Sequence, residues 1–314
     1  MKTIPRPSVQ QQRGIALLIL FAVLFMAGAS LFLTYTNTSV LRQQQNSNDL
    51  QELRRAKEAL IGYAVMHGDY YGASGGGPGH LPCPDTNGDG QENTPCAMDA
   101  IGWLPISITA PSAGNPIIEL SDFGAATDQV LWYALMDPAR RDPISAFNTS
   151  TAGTLTLNGQ PGMAAVLIAP GEAVGSQMRP STNDANYLEG ANAGGPDFVT
   201  GIVGSESNND RVLGIHVSEI MFPVTARVAA TIRTELETWH VANGEYPEPA
   251  DFTTDPGSAL EFVPAWFLSN NWLADTSYTK LDANNATLQF NGCPNSIYTI
   301  DNVADTMIRS GTQC

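Results

Sequence analysis

The side chains best spaced for chemistry lie in Asp85-Thr86-Asn87-Gly88-Asp89-Gly90-Gln91. Oxygen-bearing residues alternate, and a glycine stands where a loop coiling round an ion must turn sharply. This D-x-N-x-D-G pattern points to calcium, with the Gln91 carbonyl as a further donor. The bidentate glutamate expected at the twelfth position is missing, because Cys96 stands there, and Glu92 or Asp99 would have to substitute. The alternative is an Asx-rich turn without metal. Gly72-Ala73-Ser74-Gly75-Gly76 matches G-x-S-x-G, but a nucleophile elbow needs a strand before it and a helix after it. Here an amphipathic helical pattern precedes it and a glycine-rich stretch follows. His67, His80, His216 and His240 form no H-E-x-x-H; His67 and His240 fall near two expected helix ends, where a cation is mildly favoured. With no supported nucleophile or base, the chain reads as a non-enzyme.

Cys83, Cys96, Cys293 and Cys314 are the only cysteines. Each successive pair brackets one short segment, favouring Cys83–Cys96 and Cys293–Cys314 disulfides; no C-x-x-C or adjacent histidine supports zinc. The formal net charge of −16 argues against nucleic acid as a partner, since phosphates must be met by Lys and Arg. Only 15% of residues are charged, with 29 Gly and 21 Pro, a composition that suits a loop-rich exported chain. The five tryptophans read mainly as core residues.

The elements that must position these groups begin with a 19-residue run without charge, Ile15 to Leu33, preceded by Lys2, Arg6 and Arg13. At about 1.5 Å per residue it nearly crosses a bilayer core of about 30 Å, and the basic flank places the N-terminus in the cytoplasm. The rival is a cleaved secretory signal ending near Ala27-Gly28-Ala29-Ser30. Helical spacing resumes at Leu50, Leu53, Leu60, Ile61 and Ala64, so one helix of about 80 Å could run from Ile15 to about His67. Asn158-Gly159 and Asn291-Gly292 between strand-like runs are hairpin signals. Residues 171–210, rich in Gly, Asn, Ser and Asp, read as an exposed insertion. Val224, Val228, Ile232 and Leu236 give a second amphipathic helix, with Pro223 suiting its first turn. Superposing Gly68 on Gly244 aligns Lys57 with Arg233, Leu60 with Leu236 and Tyr63 with Trp239. A tandem of two helix-plus-sheet units competes here with chance similarity over about twenty residues.

Gln11-Gln12-Arg13-Gly14 followed directly by the apolar run resembles the leader of type IV pilins and type II secretion pseudopilins. The resemblance is specific over residues 11–35 and weaker beyond. It implies cleavage after Gly14 by a prepilin peptidase, methylation of Ile15, and retention of the apolar helix for packing among other pilin or pseudopilin subunits. Ile19 stands where most members carry glutamate, which resembles the minor subunits of tips and priming complexes. The implied fold is α+β, a long N-terminal membrane-spanning helix packed on antiparallel sheet. The implied divisions are a leader at 1–14, a transmembrane helix at 15–35, a first pilin-like unit at 36–170, the insertion at 171–210 and a second helix-plus-sheet unit at 211–314. The expected place is the inner membrane, single-pass, with the C-terminal part periplasmic and later in a filament. The competing function is a membrane-anchored binding protein, an adhesin or carbohydrate binder.

Overall fold

The computed structural model describes residues 9–71, 76–109, 116–119, 130–142, 144–202, 205, 207–312 and 314. The chain divides into two units, residues 1–48 and 49–314. Helix α1, Val9–Tyr71, is 63 residues long and runs through the boundary between them. In the first unit the side chains of residues 17–27 are exposed.

The expected membrane span is corrected here. Among the described residues, no helix is long and apolar enough to cross a membrane. The α+β character stands, but the membrane-spanning assignment does not. The single-pass inner-membrane placement goes with it.

In the second unit the helix turns amphipathic. Leu53, Ala56, Leu60, Tyr63, Ala64 and His67 are buried at three- and four-residue intervals, while Arg54, Arg55 and Glu58 are exposed. Burial of one stripe per two turns is what a 3.6-residue repeat produces when one side faces a core. After it come β1 (Ile101–Trp103), β2 (Ser107–Thr109), β3 (Pro116–Glu119), β4 (Trp132–Leu135), β5 (Leu155–Leu157), β6 (Gln160–Ala169), β7 (Asp197–Phe198) and β8 (Arg211–His216). Strands β2 and β3 pair with each other; the rest form a six-stranded sheet in the order β1-β4-β6-β5-β7, with β8 also on β6. Residues 164–169 of β6 are buried without alternation, the signature of a central strand covered on both faces. The β5–β6 hairpin turns at Asn158 and Gly159, with φ of 52° and 76°. Two successive positive φ values are what the expected Asn-Gly turn supplies.

The second helix, α2 (Val217–Asn243), opens on a capping box. The His216 ring accepts the Ser218 N–H, and the Glu219 carboxylate accepts the His216 N–H at 2.9 Å. It closes at Gly244, whose φ of 80° is left-handed and cheap only for glycine. Because the cap is His216, Pro223 falls inside the helix rather than in its first turn, a second correction. The carbonyl of the preceding Phe222 receives Arg309 Nη1 at 2.9 Å. Short helices α3 (Ala265–Ser269) and α4 (Trp272–Asp275) lead into a four-stranded antiparallel meander of β9 (Thr276–Lys280), β10 (Asn285–Phe290), β11 (Ile297–Asp301) and β12 (Thr306–Ser310). Its inner residues Ala286, Leu288, Phe290, Tyr298 and Ile300 are buried. Thr225 of α2 meets the Tyr298 hydroxyl at 2.8 Å, and the Arg309 guanidinium lies 3.7 Å over the Phe222 ring.

The first unit ends at Asn48, and the three sheets belong to the second. Strand β8 pairs with β6 from Met163↔His216 to Ala169↔Arg211. Residues 171–210 also depart from an exposed insertion, since Tyr187, Leu188, Asn192, Phe198 and Asp210 are buried.

Candidate functional sites

The first candidate is the exposed stretch of α1. Leu17, Leu18, Ile19, Leu20, Phe21, Val23, Leu24 and Phe25 are each more than half exposed. Consecutive residues step about 100° round a helix, so the apolar surface is continuous about the axis. Burying each such side chain is worth about 1.5–3 kcal/mol, and exposed apolar patches of this extent mark interaction surfaces. Ile19, the position that the pilin resemblance singles out, lies within it at 59% exposure. Residues 14 and 15, where processing is expected, lie in α1, but their side chains fall outside the described residues.

The second candidate is the Asp85 loop. The Cys83–Cys96 disulfide closes it, with a Cα–Cα distance of 5.4 Å. Asp85 is buried and exchanges backbone hydrogen bonds with Trp103, which hold the loop to β1. Its Oδ1 accepts the N–H groups of Asn87 (3.1 Å) and Gly88 (2.7 Å), and its Oδ2 accepts that of Gly90 (2.7 Å). Asn87 Nδ2 donates to Asp89 Oδ2 at 3.1 Å, and Asp89 Oδ1 takes the Gln91 N–H at 2.8 Å. Gly88 and Gly90, at φ 80° and 86°, permit the coil.

The structure thus brings the four predicted residues into one loop, whose oxygens already satisfy its own backbone. Glu92, a stand-in for the missing bidentate ligand, is taken by Arg141, and Asp99 is exposed. Among the described residues no group of three or more His, Cys, Asp or Glu is placed to hold a metal.

The second disulfide, Cys293–Cys314, joins the β10–β11 connection to the chain's last residue. Beside it opens a cavity of about 440 Å³ lined by Thr149, Thr151, Gly162, His216, Cys293 and Cys314. The histidines take structural roles. His67 and His80 are buried 5.7 Å apart between ring centroids. His67 Nδ1 is 2.8 Å from the Gly77 carbonyl, and His80 Nε2 is 3.0 Å from that of Ser145. Burial pushes His67 down to about 3, with His80 adding to the fall, and burial likewise lowers His80. His67 is thus not the helix-end cation that sequence suggests. His240 pairs with Asn284 and packs on Tyr246. Trp132, Trp266 and Trp272 are buried, and Trp103 and Trp239 pack partly buried against the core. Of the G-x-S-x-G stretch, residues 72–75 lie outside the described residues.

Sequence reading missed the buried polar groups that tie distant segments together. Asp275 accepts Thr149 Oγ1 at 2.6 Å and Ser150 Oγ at 2.5 Å; Asn270 Oδ1 accepts the Phe147 N–H at 3.0 Å. These partners are more than 120 residues apart, and no local pattern announces them. No family model, curated protein or solved structure matches the chain.

Proposed function

We propose that the chain is a non-catalytic assembly subunit of the minor pilin or pseudopilin kind, processed after Gly14 and packed through residues 17–25 among like helices of a filament or priming complex. The single observation that carries this reading is the all-round exposure of those residues, which a helix in water keeps only until partners cover it. The leader-like Gln11-Gln12-Arg13-Gly14 supports it. Ile19 supports the minor assignment: an apolar residue leaves no buried carboxylate needing a cationic neighbour. The disulfide-closed, acidic second unit would be the part each subunit presents.

The test replaces Gly14 with a bulky residue, such as Gly14→Leu, in the intact chain. The reading expects the variant to retain residues 1–14 by intact mass and to drop out of the assembled fraction. An unchanged mass together with unchanged association would remove its basis.

A further inference from the structure

Residues 171–210 are knotted round two buried carboxyl groups. Glu189 and Asp210 are 7% and 0% exposed. Asp210 Oδ2 accepts the Glu189 N–H at 3.0 Å and Asn192 Nδ2 at 2.9 Å, while its Oδ1 has no partner among the described residues. Glu189 Oε1 accepts Gln177 Nε2 at 2.9 Å, and its Oε2 accepts the Asn209 N–H at 3.1 Å. Asn192 extends the knot by exchanging hydrogen bonds with the backbone of Val199. One pair of acids therefore touches four stretches of the segment.

The charged and titratable neighbours do not neutralise the pair by contact. Arg179 donates to the carbonyls of Gly171, Asn186 and Tyr187 and to Gln177 Oε1, with its guanidinium 4.6 Å over the Tyr187 ring. Arg211 donates to the Gly201 carbonyl, and its charge acts on Asp49, itself beside Glu52. Two adjacent buried carboxylates cannot both stay ionised cheaply. Burial first, then Glu189, pushes Asp210 up to about 7 against the hydrogen bonds from Asn192 and the Glu189 backbone.

We propose that Asp210 keeps a proton where it lies buried beside Glu189, and that this proton holds residues 171–210 closed, tightly in acid and progressively less so toward neutral pH. Opening the segment exposes Asp210 to water and releases its proton, so opening is favoured by about tenfold per pH unit while the closed form is protonated and the open form ionised.

Hydrogen exchange of the intact chain, corrected for intrinsic rates, tests this between pH 5 and 7. Protection of residues 171–210 should fall by about tenfold per pH unit, while that of β10 and β11 does not follow. Asp210→Asn, which mimics the protonated acid, should keep protection high and flat. If that variant does not fold, Glu189→Gln carries the test, since losing the neighbouring charge moves the loosening to lower pH. A flat wild-type profile, a slope retained in Asp210→Asn or an unmoved Glu189→Gln profile would each overturn the latch. So would restoration of acid-level protection at pH 7 by calcium or magnesium chloride, which would assign the pair to a cation.

Discussion

Glu92 grips Arg141 with both carboxylate oxygens, Oε2 at 2.7 Å from Nε and Oε1 at 2.5 Å from Nη2, and Oε2 also takes the Cys83 N–H at 3.1 Å. The pair is nearly dry, with side-chain exposures of 14% for Arg141 and 7% for Glu92. It fastens the disulfide loop to the chain just beyond β4, and it explains why Glu92 is unavailable to an ion.

Removing one member leaves a buried charge behind. Glu92→Ala should therefore lower the unfolding free energy by about 3–5 kcal/mol, whereas an exposed pair would cost under about 1 kcal/mol. Denaturant melts of the disulfide-intact chain read the difference. A loss below 1 kcal/mol would mean that the geometry overstates the pair.

Calcium should leave the fold unmoved. Asp85 already accepts three backbone N–H groups, so the loop owes its shape to internal hydrogen bonds. Raising calcium to about 1 mM, where weak extracellular loops begin to fill, should not change the melting temperature. Asp85→Ala, which strands part-buried donors, should lower it, at up to about 1–3 kcal/mol for the unsatisfied groups. A calcium-dependent rise abolished by Asp85→Ala would reverse this account of the loop.

The six-stranded and four-stranded sheets should melt together. Asn270 and Asp275 reach from α3 and α4 to residues 147–150, and β8 completes the first sheet immediately before α2. Asn270→Ala removes the acceptor of the Phe147 N–H and should cost about 2 kcal/mol in the single cooperative transition of residues 49–314. Two resolved transitions, with only the later one shifted, would indicate independent halves instead.

Acid should work through the histidines. His67 and His80 have folded pKa values below the unfolded one near 6.5, so their contribution is complete above that pH. It is lost as pH falls toward the folded value of about 3 for His67, at about 1.4 kcal/mol per unit per group. Asp49, raised to about 6 first by its burial, and Asp210, raised to about 7, have the opposite sign. Their contribution is complete below about pH 4 and is lost as pH rises through 6 and 7. Between pH 4 and 6.5 the two sets offset each other, giving a broad plateau of melting temperature. His67→Gln should tilt that plateau so that stability rises toward acid; an unchanged profile would show that His67 does not set it.

What the sequence made legible was local. The disulfides follow from how the cysteines bracket short segments, and both form as that bracketing implies. The Asn158-Gly159 turn and the four-residue recurrence through Leu236 carry their own geometry, and both elements are present. At Asn291-Gly292 the same dipeptide also turns the chain, with the Cys293 N–H on the Phe290 carbonyl at 2.9 Å, but strand pairing resumes only at Ile297. Non-local polar contacts were not legible. Residues 171–210 look like solvent-exposed chain by composition because Glu189, Asn192 and Asp210 are polar, yet those residues turn inward and satisfy one another. The Asp85 loop was legible as a turn but not as one already satisfied, because hydrogen-bond partners are invisible in a spacing pattern.

The central claim is that residues 17–25 are covered by like helices in the working assembly. A photo-crosslinker replacing Ile19 in the intact chain measures this directly. The account predicts covalent adducts with the corresponding apolar helix of a neighbouring subunit, lost when Gly14 is replaced. Adducts confined to the chain itself, or a mature protein from which residue 19 has been removed, would contradict it.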